Sequence, residues 1–358
     1  MRGLPSASWL ARPEMDAVLD KEAWRYSERA WNALHAQEFT AANTPALLPD
    51  SLVEQFDWPE TRARRVVFVN GEATATAELH LSDGEHLHLV FVSVPDAQPA
   101  RWSLDLPITV ETGSVEIVEQ HIGLGGTEIL GELTSHVRVG AGARLRMTTL
   151  GDLPDSVSLY RRANVSIDAG GAYSSTHALF GGRLQRFDID VDMAGEQASY
   201  VSRGVFAPRG RQHIDVHLDA RHSARDTRSD VLWRGIADQR GRGILHGAIT
   251  VAAGADGADA QLQTKNLLLS PHAEIDAQPV LEIYADEVKA SHGATVGQLD
   301  ERALFYLRSR GVPLAAARNL LIAGFCREAF ADLGDVALSA RLEAVLARRL
   351  PQAQESAR

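Results

Sequence analysis

Hydrophobic and polar residues divide the chain into zones with different spacing. Residues 1–61 show helical spacing, because Trp24, Trp31 and Leu34 recur at intervals of about seven and three residues. Three prolines then interrupt this pattern, at Pro45, Pro49 and Pro59. The first zone is therefore predicted to be a small N-terminal helical region.

From residue 62 to residue 296 the chain consists of short alternating segments typical of β-strands. Several share a strand, a glycine turn and a second strand, as in "ITVETGSVEIVEQH" and "VSIDAGGAYSSTHAL". Their turn glycines recur about every 25 to 29 residues, and a further one follows about two repeats later: Gly113, Gly142, Gly170, Gly195 and Gly254. Because no helix of crossover length separates the strands, a parallel β-helix fits better than βαβ units. A β-sandwich remains the alternative.

The zone from 297 to 350 returns to helical signals. Asp300 is a suitable N-cap for "ERALFYLRSR", and Gly311 followed by Pro313 is typical of a helix end and a new start. A second helix is predicted in "LAAARNLLIAGFCREAF", with one apolar face formed by Ala317, Leu321, Gly324 and Phe325. We therefore expect a C-terminal helical hairpin, followed by a disordered tail at 351–358.

Composition narrows the functional classes. The 358 residues are 45% hydrophobic and 23% charged, which is ordinary for a globular protein with a sizeable core. The net charge of -11 argues against a surface that binds nucleic acid. We expect no signal peptide and no membrane span, since no apolar run approaches about 18 residues. A single cysteine, Cys326, favours a reducing compartment, so the cytoplasm is the predicted location.

Nucleotide chemistry of the Walker type is excluded by the lysines. A phosphate-binding loop needs a lysine directly after Gly-x-x-x-x-Gly, and none of the three lysines has this setting: Lys21, Lys265 and Lys289. The glycine-rich "GLGGTE" at Gly123 is better interpreted as a turn. Cys326 lies on the apolar side of the last predicted helix and is expected to be a small buried hydrophobe. One cysteine cannot hold an iron–sulfur cluster alone.

Two stretches offer metal-ligand chemistry. In "GRQHIDVHLDARH" a strand would place His213, Asp215, His217 and Asp219 on one face, a pattern that suits zinc or iron. Inside–outside alternation produces the same pattern without a metal, and the residues alone favour that interpretation.

The second stretch, "EVKASHGATVG", places His292 on the same side of a strand as Ala290 and Ala294. A histidine among small neighbours is either a buried core residue or a ligand with space around it. The residues alone favour the core interpretation.

A resemblance changes this balance. Residues 181–330 resemble SufD, the β-helical subunit of the SUF iron–sulfur assembly scaffold. The similarity is carried by "NLLLSPHAEIDAQPVLEIYADEVKASHGATVGQLDERALFYLRSRGV", "GRQHIDVHLDARH", "WRGIADQRGRGILHG" and "ARNLLIAGF". Some family members carry a cysteine two places before the histidine of "SHGATVG", whereas this chain has Ala290.

The resemblance implies a right-handed parallel β-helix with N-terminal helices and a C-terminal helical hairpin. It also implies a complex of one copy with a SufB-like sister and two copies of a SufC-like ABC ATPase. Residues 265–296 would form the surface for the sister, with His292 as a ligand of iron or a nascent cluster shared with it. The hairpin from Leu299 to Phe330 would dock the ATPase, with candidate contacts at Leu304, Phe305, Leu307, Arg308, Leu321 and Phe325. Some assemblies of the family also bind a reduced flavin.

The leading hypothesis is therefore a non-catalytic scaffold subunit for iron–sulfur cluster assembly. Two alternatives remain: a β-helix protein that binds or cleaves acidic polysaccharide, and a structural paralogue that pairs with itself. The negative net charge argues against the first, because it would repel an anionic polymer.

Overall fold

The computed structural model describes residues 24–44, 48, 50–56, 63–73, 79–330 and 336–349. Pro45, Pro49, Pro59 and the predicted tail 351–358 lie outside them. The chain divides into two compact units, one ending at Gln37 and the other beginning at Glu38. In the first unit, helix α1 (Glu28–His35) follows a turn, and the rings of Trp24 and Trp31 lie 4.6 Å apart.

The second unit is built from two β-sheets. Sheet A comprises β1 (Thr40–Ala41), β4 (His80–Leu81), β6 (Ala100–Val110), β8 (Ile129–Val139), β10 (Val157–Ile167), β12 (Leu184–Met193), β14 (His213–His222), β16 (Arg242–Val251) and β18 (Glu274–Ile283). Sheet B comprises β2 (Arg64–Val69), β3 (Glu72–Ala73), β5 (His86–Ser93), β7 (Ser114–Gly123), β9 (Arg144–Leu153), β11 (Ala172–Gly181), β13 (Ser199–Ala207), β15 (Arg228–Ala237), β17 (Asp259–Leu268) and β19 (Lys289–Gly297).

From β5 onward the chain alternates between the two sheets, and from β6 onward each strand pairs in parallel with the strand two positions earlier. The result is a parallel β-helix of about seven turns, in which the inward side chains of both sheets form one continuous core. The predicted fold is confirmed, and the β-sandwich alternative is wrong. Alternation along a strand is the physical reason, since it supplies one apolar face for the lumen in every coil.

One turn position recurs through five consecutive coils with a left-handed backbone. It is occupied in order by Gly142, Gly170, Gln197, Asp226 and Gly257. The backbone N–H at each of these positions donates to a carbonyl of the next coil. The sequence-based alignment was therefore wrong at Gly113, Gly195 and Gly254, because coil lengths vary and a polar residue replaces glycine in two coils.

Among its described residues, the second unit also contains helices α2 (Asp50–Phe56), α3 (Glu301–Ser309), α4 (Leu314–Arg327) with a 3-10 turn at Glu328–Phe330, and α5 (Val336–Arg349). Asp300 caps α3 as predicted, since its carboxylate accepts from the backbone N–H of Arg302 at 2.8 Å. Gly311 ends the helix with φ of 86°.

The C-terminal helices cover part of the outer face of sheet B. The end of α4 and α5 pack with outward side chains of β9, β11, β13 and β15 in one apolar cluster. The buried side of α4 is Ala317, Ile322 and Cys326, whereas Gly324 is exposed and Leu321 is half-buried. The predicted apolar face was thus wrong by about one position, because sheet B rather than the second helix of a hairpin sets the buried side. Cys326 is buried and free, as predicted.

Helix α2 covers another part of the same outer face, where the fully buried Leu52 joins a separate cluster with Val90, Val92 and Ile122. No described helix is long and apolar enough to span a membrane.

Gly204→Ala should lower the free energy of unfolding by about 1–3 kcal/mol. A Cβ at Gly204 would lie 2.3 Å from ring atoms of Trp233, whose indole packs across the backbone of β13. Gly324→Ala is the matched control: nothing lies within 4 Å of its Cβ position, so helix propensity should make it neutral or stabilising by up to about 1 kcal/mol. Urea denaturation measures both, and equal effects would contradict the proposed packing.

Candidate functional site

The last coil of the β-helix is open at its end. Strands β18 and β19 are the terminal strands of sheets A and B, and no further strand pairs with either in the part of the chain that the structure describes. Most of β19 is exposed, and so are three large apolar side chains near this end: Ile283, Tyr284 and Val296. An unpaired strand edge with exposed apolar side chains is suited to adding a strand from another chain.

His292 stands at the end of an interior column of side chains. It pairs in register with Leu262, which pairs with Val231. The column continues toward the earlier coils through Ser202 and Ser175. Leu262 is buried in the core, whereas His292 is exposed because no described coil covers it. The sequence placed His292 correctly on the side of Ala290 and Ala294, and the structure adds that this side continues the inward column of Leu262 in the last coil.

The side chain of His292 is exposed and therefore accessible to an incoming group. The opposite face of β19 is also open here, since nothing lies within 4 Å of the position that a Cβ would take at Gly293. Among the described residues, no group of three or more histidine, cysteine, aspartate or glutamate side chains is arranged to hold a metal ion. A metal centre that includes His292 would therefore need ligands from outside the described residues.

The weaker metal candidates lie on β14, on the outer face of sheet A. Asp215 is buried and accepts from Arg186 Nη1 at 2.7 Å, so a guanidinium already balances its charge. His217 stacks on His246 with ring centroids 4.8 Å apart. Burial lowers the pKa of His213 to about 4. These contacts support the alternation interpretation, since Ile214, Val216 and Leu218 point into the core, as the pattern predicts.

A cluster of charged residues inside the β-helix was missed at the sequence level. Glu119 and Arg161 form a two-pronged ion pair in the lumen, with both N–O distances at 2.8 Å, and His121 Nε2 lies 2.7 Å from the same carboxylate. Burial raises the pKa of Glu119, but the Arg161 guanidinium outweighs it and holds this pKa well below the usual range. The available signal was parity, because Glu119 and His121 continue the every-second-residue series of Val115 and Ile117, which face inward.

His177 lies in the same part of the lumen. Its ring stacks on Trp233 with centroids 5.3 Å apart, and neither ring nitrogen has a hydrogen-bond partner among the described residues. Burial lowers the pKa of His177 to about 4. The folded protein therefore holds this imidazole in its neutral form at neutral pH.

The helical arm, defined as α3, α4 and the 3-10 turn, exposes a second candidate surface. Phe305 is 74% exposed and Tyr306 58%, and the arm also exposes Leu314 and Leu320. Of the residues named from the sequence, Phe305 and Arg308 are exposed, Leu307 and Leu321 are half-buried, and Leu304 is buried. Phe325 is half-buried against the guanidinium of Arg234, 5.6 Å from its ring centroid. The accessible part of this surface therefore includes Tyr306, Leu314 and Leu320, which the sequence did not single out.

Comparison with known proteins gives a consistent result. A family model described as "SUF system FeS cluster assembly, SufBD core domain" matches residues 101–325, more than half of the chain. The iron–sulfur cluster assembly protein SufD of Escherichia coli (strain K12) is 31% identical over 70% of this chain and 59% of its own length. A SufBD family protein of Synechocystis is 29% identical, over 72% and 58%. SufD of Bacillus subtilis is 25% identical, over 87% and 74%.

The chain spans about three fifths of the length of the curated relatives from Escherichia coli and Synechocystis. The matching family model describes iron–sulfur cluster assembly rather than polysaccharide chemistry.

Replacing His177 by Phe should flatten the acid dependence of stability. Because the folded-state pKa is about 4 and the unfolded one about 6.5, the unfolded chain binds the extra proton between these values. Wild-type stability therefore falls as the pH drops through this window, by up to about 1.4 kcal/mol per pH unit from this residue.

Urea denaturation at several pH values between 4 and 7 provides the measurement. A constant offset from the larger Phe ring does not matter, since only the slope is compared. The exposed His272, replaced by Phe, is the matched control. Parallel curves for wild type and His177→Phe would contradict a neutral buried His177.

Proposed function

The chain belongs to the SufBD core family of the SUF iron–sulfur cluster assembly system, as its resemblance predicted, and we propose that it acts there as a non-catalytic scaffold subunit. One observation carries the proposal beyond the family. His292 ends an interior column at the open end of the β-helix, on a strand edge that is free to pair with another chain. ATP hydrolysis then belongs to a partner, in agreement with the lysines, none of which follows a phosphate-binding loop.

The proposed partner at the open end is a SufB-like sister subunit. A β-helix whose last coil is uncovered leaves backbone groups of β19 and apolar side chains such as Tyr284 and Val296 in water. A second β-helix placed end to end would satisfy the strand edge and cover these side chains. The interface would also place metal-ligating side chains of the sister subunit next to His292.

The proposed cargo is iron or a nascent iron–sulfur cluster. Neutral imidazole is a competent iron ligand, and thiolate or carboxylate ligands from the sister would complete the coordination. The single buried Cys326 cannot contribute, because it lies on the face of α4 that packs against sheet B. No feature of the described residues selects a reduced flavin. A free, buried thiol also agrees with the reducing cytoplasm expected from the sequence.

The helical arm is the proposed docking element for a SufC-like ABC ATPase. Exposed aromatic side chains are expensive to leave in water and are enriched at the energetic centres of interfaces, and Phe305 and Tyr306 lie side by side on α3. Because α3 follows β19 after a short connection, movement of a docked ATPase would act close to the open coil.

His292→Ala should abolish cluster assembly while leaving the complex intact. Its side chain is exposed, so its loss removes a ligand without disturbing a packed core. The measurement is anaerobic co-purification of the tagged chain with its partners, followed by iron and sulfide analysis. His272→Ala, which removes another exposed histidine, is the matched control and should retain wild-type loading. Loss of the complex on His292→Ala, or full loading without it, would contradict the shared site.

Phe305→Ala should weaken binding of the ABC ATPase by about tenfold or more, because it removes an exposed aromatic anchor. Isothermal titration calorimetry with the purified ATPase measures this affinity. Tyr284→Ala is the control: Tyr284 is 64% exposed but lies at the other proposed surface, so its replacement should weaken binding of the sister instead. Equal effects of both variants on the ATPase would rule out the arm as its docking element.

A further inference from the structure

Arg234 is a fully buried cation on the outer face of sheet B. It lies on β15 between the outward side chains Leu232 and Ile236, and its guanidinium has no exposed surface. A charge in this position is costly unless it is paired, because burial removes its hydration. The contacts that compensate it therefore identify what holds this part of the molecule together.

Those contacts come from two sides. On the sheet, Arg234 Nη1 donates to the carbonyl of Trp233 at 2.9 Å, and Nη2 donates to Gln263 Oε1 on β17 at 3.3 Å. On the arm, Glu328 Oε2 lies 2.7 Å from Nη2, and the ring of Phe325 lies over the guanidinium. The hydrogen bond from Arg234 lowers the pKa of Glu328, with a smaller contribution from Lys265 on β17.

The two partners differ in how easily they can separate. Arg234 is fixed within a strand that pairs on both sides, whereas Glu328 lies in the 3-10 turn at the end of α4 and its side chain is 51% exposed. Water can replace Arg234 as the partner of Glu328, but the buried Arg234 would lose its anionic partner if the arm moved away. The ion pair therefore stabilises the arm on sheet B, because lifting the arm would leave the buried Arg234 without an anionic partner.

The position of the pair relates the arm to the open coil. Arg234 contacts Gln263 on β17. Strand β17 also pairs with β19, and in that pairing Leu262 of β17 lies opposite His292 of β19. At its other end, α4 begins at Leu314, next to α3 with its exposed aromatic side chains. A displacement of α3 and α4 is therefore transmitted first to Glu328 and Phe325, and then to β15 and β17.

We propose that Arg234 and Glu328 form a latch that keeps the helical arm seated on sheet B, and that a docked partner acts on the scaffold by opening it. The existence of the latch follows from the contacts of this chain alone. Only the agent that opens it rests on the proposed function, in which the arm docks an ATPase. Arg234 and Glu328 are positioning residues in this scheme, since neither reaches the open end.

The chain contains a natural reporter for this motion. Cys326 is its single cysteine, lies two residues before Glu328 and is fully buried where the arm meets sheet B. A thiol reagent reaches it only when the arm lifts or the chain unfolds. The rate of Cys326 labelling under native conditions thus measures the population of the lifted arm.

The test compares Glu328→Gln with Glu343→Gln in the full chain. Glu343 also accepts from an arm residue, Arg327, at 3.1 Å, but it lies on α5, so its ion pair does not reach sheet B. Glu328→Gln should increase the labelling rate of Cys326 about tenfold, and Glu343→Gln should change it by less than about twofold. Urea denaturation of each variant separates lifting of the arm from global unfolding. Equal labelling rates for the two variants would overturn the latch.

A second measurement tests the agent. In the complex with the ABC ATPase, addition of ATP should accelerate Cys326 labelling in the wild-type chain, and Glu328→Gln should label rapidly with or without ATP. An intact complex in which ATP leaves the wild-type rate unchanged would overturn opening by the partner. If no ATPase binds, the proposed docking function fails, while the comparison on the isolated chain still decides the latch.

Discussion

Parallel pairing between successive coils is the constraint on which the rest of this structure depends. Each strand uses its backbone groups to bind the coils before and after it, so side chains repeat in columns along both sheets. The core is built from such columns, the left-handed turns also stack from coil to coil, and one column ends at His292. The last coil has no successor among the described residues, so β19 pairs with β17 on one edge and its other edge has no strand partner there.

Parity along a strand decides burial more strongly than residue type. Glu119 and Arg161 are charged yet lie in the lumen, because they occupy inward positions on β7 and β10. Arg234 occupies an outward position and is nevertheless fully buried, because the arm covers it. Each of these buried charges forms an ion pair with an opposite charge, which offsets its cost of desolvation: Glu119 with Arg161, and Arg234 with Glu328.

The two surfaces proposed to act in function lie at the end of the coil and on the arm that follows it. The open strand edge, the exposed His292 and the exposed aromatic side chains of α3 all lie in the C-terminal third of the chain. The middle coils supply a rigid base, since their strands pair on both sides. This arrangement suits a scaffold, in which chemistry occurs between chains and each chain provides a surface and a small number of ligands.

The resemblance to SufD was confirmed by the match of the SufBD core model to residues 101–325 together with the 31% identity to SufD of Escherichia coli. Local pattern was also a good guide to the fold, because a strand reveals its inward face by alternation and a helix its start by a cap. The positions of His292 and Asp300 could therefore be predicted without coordinates. The proposed site could be predicted only in part, since alternation gives the side of β19 on which His292 lies but not what would meet it there.

What the sequence by itself determined was the order of the helical and β zones, the two faces of β14 and of β19, and the start of α3. The tertiary structure alone decided which residues meet: Gln197 rather than Gly195 at the stacked turn, Ile322 and Cys326 rather than Leu321 and Gly324 beneath the arm, and Arg234 with Glu328. The reason is that alternation and capping act within one segment. Contacts between coils and arm depend on the length of every intervening turn, and no local pattern encodes that sum.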